Sequence, residues 1–200
     1  ASCDLEIRGA GDILGANQSG HIEAIGLELY MELLQDAIRE LKGEKQSFTK
    51  NIEITSPYPS YIPNNYIEDS GERLRQYKRL SNTQTIKQLE EMLDELNDIF
   101  GPIPKEIKNL AVLLKARIHL KHCGIKSVQL NNQSISIQFD KAILDKNKDL
   151  AGSVAKTFLS QPNLYHFSPD YKVLYKSKKE LNQESFLELC QKIAEQIVPC

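Results

Sequence analysis

Cysteine is scarce in this chain, and no export or membrane signal is visible. The four cysteines stand far apart and form no Cys-x-x-Cys pair, which argues against a zinc module or a redox motif. They are Cys3, Cys123, Cys190 and Cys200. The sequence has no secretory signal and no apolar run of the ~18 residues needed to cross a bilayer. We therefore expect a cytoplasmic protein that makes no contact with membranes.

Motifs that hold nucleotides are also missing. No Gly-x-x-x-x-Gly-Lys-[Ser/Thr] phosphate loop occurs, and the run Gly9-Ala10-Gly11 continues to Leu14 and Gly15, which breaks the dinucleotide fingerprint. The acidic side chains of one amphipathic segment favour a solvated helix face over an acid/base pair. These are Glu90, Glu91, Asp94 and Glu95. We expect no catalysis by this chain and no cofactor bound to it.

One cluster of residues has the spacing of metal ligands. His119 and His122 can share a helix face, and Cys123 follows directly. The alternative is an ordinary helix surface near a C-terminus, where the helix dipole favours histidine. Because no second pair of ligands lies nearby in the sequence, we predict that the cluster holds no metal.

The chain carries no large excess of positive or negative charge. The formal net charge is −2, so the chain has no overall attraction to phosphate backbones. Any contact with DNA must therefore be local.

The composition indicates a folded protein. Hydrophobic residues make up 40% and charged residues 26% of 200 residues, which is enough for one domain of ~100 to 150 residues and an appendage. The sequence starts at Ala1 and is patterned from its first residues. We expect it to be a piece of a longer polypeptide.

Residues 1–44 are predicted to form a helical hairpin. The first helix, over residues 4–15, is weakened by its glycines. The second repeats apolar residues at helical spacing from Ile22 to Leu41, and Gly43 is placed to end it.

Residues 45–70 are predicted to be a strand followed by an extended linker. Ile52 and Ile54 alternate with polar residues, and Pro57, Pro59 and Pro63 then exclude helix.

Residues 71–200 mix helical and strand patterns. Helices are predicted over 71–81 and 86–100, from Pro104 to Gly124, around Val154 to Leu159, and from Phe186 to Ile197. Hairpins are predicted over 128–139 and 165–175. The fold class is therefore α+β, with an N-terminal helical hairpin before a domain of several helices and small antiparallel β-hairpins.

The most specific string runs from Asp4 to Gly15 as DLEIRGAGDILG and is followed by Gln18-Ser19-Gly20. It resembles the translocation motif of the transcription-repair coupling factor family and of the related translocase RecG. The resemblance continues over residues 26–31, and the rest of the chain looks like the C-terminal domain specific to the coupling factor. The sequence is thus identified as a member of that family, although Cys3 and Asn17 depart from its usual flanking residues.

The resemblance implies a lever that moves against duplex DNA. Its residues would be Arg8, Gly9, Gly11, Gly15, Gln18, Ser19 and Gly20. The glycines allow close backbone approach, and the guanidinium of Arg8 offers five donors. The alternative is that Asp4, Arg8 and Asp12, at four-residue steps, form a surface ion-pair ladder.

The resemblance also implies a larger machine. The parent protein would be an ATP- and Mg-dependent helicase-like translocase on double-stranded DNA that displaces stalled RNA polymerase and recruits excision repair. Residues 71–200 would be an autoinhibitory domain that packs on the protein's own UvrB-like N-terminal module and masks the surface that binds UvrA.

Two basic clusters are candidates for contact with partners. The first, Arg73, Arg75, Lys78 and Arg79, would dock on an acidic patch. The second, Lys172, Lys176, Lys178 and Lys179, would contact phosphates and make the chain a local binder of duplex DNA. For each cluster the alternative is a solvated surface.

Overall fold

The structure is a computed structural model, and it describes residues 52–198. The helices of this part are α1 (Ser70–Ser81), α2 (Ile86–Phe100), α3 (Lys105–Leu120), α4 (Lys141–Lys146), α5 (Lys148–Leu159) and α6 (Gln183–Ile197). Its strands are β1 (Glu53–Thr55), β2 (Ile125–Asn131), β3 (Ser134–Phe139), β4 (Tyr165–Ser168) and β5 (Lys172–Lys176). The predicted α+β class is confirmed here. The predicted hairpin of residues 1–44 lies outside the described residues.

The strands form a single mixed sheet in the order β1-β2-β3-β5-β4. Strand β1 runs parallel to β2, and the other pairs are antiparallel. Both predicted hairpins are present, as β2–β3 and β4–β5, and pairing of Ile137 with Val173 joins them. The short helix α4 was not predicted; Asp140 caps it by accepting a hydrogen bond from the backbone nitrogen of Ala142 at 2.9 Å.

One face of the sheet forms the main hydrophobic core. One row of paired residues across four neighbouring strands lies on this face and is buried: Ile54, Val128, Ile137 and Val173. Helices α3, α5 and α6 cover this face with Leu120, Phe158 and Phe186, among others. Since strand side chains alternate between faces, the polar residues between these positions line the opposite face.

The sequence of α5 predicts an apolar face of Val154, Phe158 and Leu159, and this prediction is wrong for Leu159. Val154 and Phe158 are buried as expected, but Leu159 is 62% exposed. Successive helix positions are 100° apart, so Leu159 turns away from the sheet that Phe158 contacts.

Helix α2 has clear end signals. The side chain of Thr85 accepts a hydrogen bond from the backbone nitrogen of Gln88 at 3.2 Å, and Gly101, with a φ of 89°, ends the helix as predicted. Pro104 lies at the N-cap of α3, immediately before the first helical residue. Together these signals set the short turn between α2 and α3.

Residues 56–69, here called the strap, follow a non-helical path as predicted and tie the sheet to the helices. The hydroxyl of Tyr58 donates to the carbonyl oxygen of Leu181 at 3.0 Å, on the sheet side of the domain. On the other side, the amide nitrogen of Asn109 in α3 donates to the carbonyl oxygen of Pro59 at 2.7 Å.

The rest of the strap packs on α1 and α2. The backbone nitrogen of Ile62 donates to the hydroxyl of Tyr77 at 2.6 Å, and both residues are buried. The hydroxyl of Tyr66 lies 2.9 Å from the carbonyl oxygens of both Leu96 and Gly101. This strap therefore belongs to the folded core of the domain, although the predicted boundaries at residues 44 and 70 stay predictions.

No helix of the described residues is long and apolar enough to span a bilayer.

Candidate functional surfaces

Helix α1 carries the first basic cluster, and most of its charges have partners within the domain. Arg73 donates from Nη1 to the carbonyl oxygens of Ile67 and Glu68 at 2.6 and 2.9 Å, which ties the helix to the strap. Arg75 pairs with Glu72 at 2.6 Å one turn earlier. Lys78 is exposed and has no ion pair within residues 52–198.

Arg79 joins α1 to α2. Its two guanidinium nitrogens donate to the two carboxylate oxygens of Glu95 at 2.9 and 2.6 Å, a bidentate geometry that fixes direction as well as distance. This hydrogen bonding raises the pKa of Arg79 and lowers the pKa of Glu95. Both side chains are about two-fifths exposed, so the pair orients the helices more than it stabilises them.

Helix α2 presents an acidic face beside this pair. Lys115 reaches Glu90 at 2.9 Å, whereas Lys87 is 3.7 Å from Glu91. Two further exposed carboxylates of the helix have no ion pair within the described residues. These are Asp94 and Asp98.

Next to this acidic face, Ile99 is 60% exposed. Ile99 lies outside the apolar stripe that the sequence of α2 forms at helical spacing, at Ile86, Leu89, Leu93, Leu96 and Phe100. Its position outside this stripe is the sequence signal that the Ile99 side chain is exposed. We call the exposed residues Arg75, Lys78, Glu91, Asp94, Asp98 and Ile99 the α1–α2 surface.

The second basic cluster lies on and beyond β5. All four lysines are exposed, and none of them has an ion pair within the described residues. Lys172 and Lys176 are positions 1 and 5 of β5 and therefore share a face of the sheet. The nearby carboxyl of Asp170 has a lowered pKa, chiefly because the hydroxyl of Ser168 bonds to it and to a lesser extent because of Lys172.

The two lysines lie on the face that the core helices do not cover. Across this open face, Thr55, Gln129, Ser136, Leu174 and His166 occupy one row of the register, and all five are exposed or half-buried. Most of the row is small and polar. The open face is thus a solvated polar surface with lysines on β5.

The residues with metal-ligand spacing do not share one environment. His122 is exposed, Cys123 is buried and His119 is half-buried. Burial lowers the pKa of His119 despite Glu195 on α6, and burial raises the pKa of the Cys123 thiol to about 11. No group of three metal-binding side chains occurs within residues 52–198.

Cys123 and Cys190 should react slowly with thiol reagents. Their thiols are buried in the main core, and burial also raises the pKa of Cys190. At pH 8, a pKa near 11 leaves about 0.1% of the Cys123 thiol as the reactive thiolate. In a Cys3→Ser/Cys200→Ser variant, we expect reaction with DTNB to be at least 100-fold slower in buffer than in 8 M urea.

A third change supplies the control for this measurement. His122→Cys in the same background adds one exposed thiol, which should react at once in buffer. Equal rates with and without urea for Cys123 and Cys190 would contradict their burial.

The residues of the translocation motif cannot be placed in this geometry. Arg8, Gly9, Gly11, Gly15, Gln18, Ser19 and Gly20 all lie outside the described residues. Their predicted role therefore stays a prediction.

Comparison with known proteins points to one family. A family model described as the TRCF domain matches residues 56–149. The chain is 38% identical over 177 residues, 86% of its length, to the transcription-repair-coupling factor of Buchnera aphidicola. Over 144 residues it is also 38% identical to the Escherichia coli factor, and over all 200 residues it is 28% identical to the Myxococcus xanthus factor.

The chain spans 21%, 12% and 16% of the lengths of these three relatives, respectively. Among solved structures, the C-terminal domain of transcription-repair coupling factor matches with a TM-score of 0.58 and 21% identity. That match covers 76% of this chain and 96% of the solved domain. The chain belongs to the family of transcription-repair coupling factors, and its described residues have the fold of their C-terminal domain.

Proposed function

We propose that this domain is a regulatory clamp within a larger translocase. It docks on the protein's own UvrB-like N-terminal module and masks the surface that recruits UvrA. Release of the clamp when the motor engages stalled RNA polymerase would then couple polymerase displacement to excision repair.

The observation that carries the proposal is the α1–α2 surface. A clamp that opens reversibly needs polar, charge-rich contacts, because a large apolar interface would hold it shut. The surface combines basic Arg75 and Lys78 with Asp94 and Asp98, which have no ion pair within residues 52–198, and it has Ile99 as an apolar anchor. Charged rims of this kind direct which partner docks and in which orientation.

The rest of the proposal concerns the parent protein. We infer that it is a cytoplasmic ATP- and Mg-dependent translocase on duplex DNA, in which the residues of the translocation motif move against the DNA backbone. The chain itself would hydrolyse no ATP and bind no cofactor. Purified alone, it should show no ATPase activity with or without DNA.

Docking can be tested by calorimetry with the separated N-terminal module. The 200-residue chain should bind it, and Asp94→Lys/Asp98→Lys should weaken binding at least tenfold, because two exposed carboxylates become like charges for a basic part of the partner. The matched control, Glu184→Lys/Glu188→Lys, makes the same charge change at exposed positions of α6 and should bind as the unaltered chain does.

A second pair of variants separates the two helices. If Arg75→Glu/Lys78→Glu abolishes binding to the N-terminal module, the contact with that module includes the basic helix α1. In the full protein, removal of residues 45–200, which takes β1 and the strap with the domain, should increase UvrA binding. The clamp is refuted if the unaltered chain does not bind the module and this deletion leaves UvrA binding unchanged.

A further inference from the structure

We propose that the open face of the sheet, through the lysines of β5 and the segment after it, binds the phosphate backbone of duplex DNA. This site is separate from the α1–α2 surface and does not rest on the clamp. It also differs from the predicted lever, whose residues all lie in the first 20 positions.

The structure distinguishes the two basic clusters of the sequence. On α1, Arg73 is held by backbone carbonyls, Arg75 by Glu72 and Arg79 by Glu95. Of that cluster only Lys78 has no ion pair within residues 52–198. The four lysines from Lys172 to Lys179 are exposed and without ion pairs in the described part of the chain. Free ammonium groups can displace the counterions that DNA carries, whereas paired ones must first lose a partner.

The spacing of the lysines suits a phosphate backbone. Lys172 and Lys176 are four residues apart on one strand and one face, which places their Cα atoms about 14 Å apart at ~3.4 Å per residue. Each strand of duplex DNA places one phosphate per ~3.4 Å of helix axis, so measured along that axis this distance covers about four base-pair steps.

Beyond Lys176 the chain continues at the same end of the sheet. The backbone nitrogen of Ser177 donates to the carbonyl oxygen of Gln133 at 2.9 Å, and that of Leu181 donates to Asn132 at 2.7 Å. This anchoring holds Lys178 and Lys179 beside the β2–β3 turn. The lysines therefore lie along β5 and in the segment that follows it at the β2–β3 turn.

The neighbouring side chains favour contact with backbone over contact with bases. The open face carries hydroxyl and amide groups, such as Ser127, Ser136 and Gln129, which donate to phosphate oxygens. Its residues in the five strands include no Phe or Tyr, whereas proteins that hold single strands stack bases on aromatic rings. A duplex read through its phosphates fits this surface better than a single strand.

Carboxylates border the site and orient its ligand. Asp170 lies in the β4–β5 turn, Glu180 follows the last lysine, and Glu53 lies across the sheet on the edge strand β1. Strands are ~4.8 Å apart, so Glu53 is about 14 Å from the β5 lysines. A duplex would therefore follow β5 and avoid the β1 edge.

The test is fluorescence anisotropy of a labelled 20-base-pair duplex with the 200-residue chain between 20 and 200 mM salt. Binding should weaken steeply with salt. A variant with all four lysines changed to glutamine (Lys172→Gln/Lys176→Gln/Lys178→Gln/Lys179→Gln) should bind at least tenfold more weakly at 50 mM. The plot of log association constant against log salt concentration should become less steep by up to about 3.6, at ~0.9 for each lost phosphate contact.

The matched control removes the same charge from exposed lysines elsewhere: Lys105→Gln/Lys108→Gln/Lys146→Gln/Lys192→Gln. It should bind nearly as the unaltered chain does, and circular dichroism should show both variants folded. The proposal is overturned if the β5 variant binds like this control or if a single strand binds more tightly than the duplex. It is also overturned if polyglutamate competes as well as unlabelled duplex, which would indicate a site for acidic protein.

Discussion

Replacing Phe158 with alanine is expected to lower the free energy of unfolding by about 3–5 kcal/mol, the range for large aromatic side chains lost from a core. The ring is 1% exposed and contacts three other rings: Phe139, Tyr165 and Phe167. Its centroid lies 5.0 Å from that of Tyr165, in an edge-to-face arrangement. Through these rings Phe158 joins α5 to strands β3 and β4, so the cavity should destabilise the whole domain. Urea unfolding followed by circular dichroism measures the change.

The adjacent residue is a matched control. Leu159→Ala removes a large apolar side chain from the same helix, but Leu159 is 62% exposed, so stability should change by no more than about 0.5 kcal/mol. Similar losses for the two variants would show that α5 is rotated relative to the described packing.

Replacing Tyr77 with phenylalanine is expected to cost about 1–3 kcal/mol, although only one oxygen atom is lost. The hydroxyl accepts the backbone N–H of Ile62 at 2.6 Å, and both residues are at most 5% exposed. Phenylalanine would leave that donor buried with no acceptor. The cost is therefore the desolvation of a peptide group, in addition to the net value of one hydrogen bond.

A nearby tyrosine, Tyr61, provides the control for Tyr77→Phe in the same unfolding experiment. Tyr61 is half-buried in the strap, and its hydroxyl makes no hydrogen bond to residues 52–198. Tyr61→Phe should therefore change stability by less than about 0.5 kcal/mol. An equally small effect of Tyr77→Phe would mean that the strap is not anchored at Ile62.

The elements of this fold were predictable from the sequence where periodicity and end signals agreed. Alternation gave the pairs β2–β3 and β4–β5, and helical spacing with Gly101 gave α2 and its end. Pairing across long sequence distances was not predictable in the same way. Nothing in the local pattern of Ile52 and Ile54 indicates that β1 lies parallel to β2, because register between distant strands depends on the packed core.

The candidate surfaces were less predictable than the fold. The sequence identified both basic clusters but could not indicate that Glu95 engages Arg79 from 16 positions away. The four-residue spacing of the carboxylates likewise did not indicate that Asp94 and Asp98 have no ion pair within residues 52–198. Whether a charged side chain is free depends on neighbours that tertiary structure supplies, and local spacing does not contain that information.

The parallel pairing of β1 delays the burial of this strand during synthesis. Glu53 pairs with Ser127, so 74 positions separate the partners, and β1 must wait for them to leave the ribosome. The β2–β3 hairpin closes a loop of two residues and can form first. Pairing of β1 closes a much longer loop at a larger cost in conformational entropy, so β1 joins the sheet late. Until then Ile52 and Ile54 stay exposed to solvent, and a nascent chain interrupted before residue 125 would present them to chaperones and proteases.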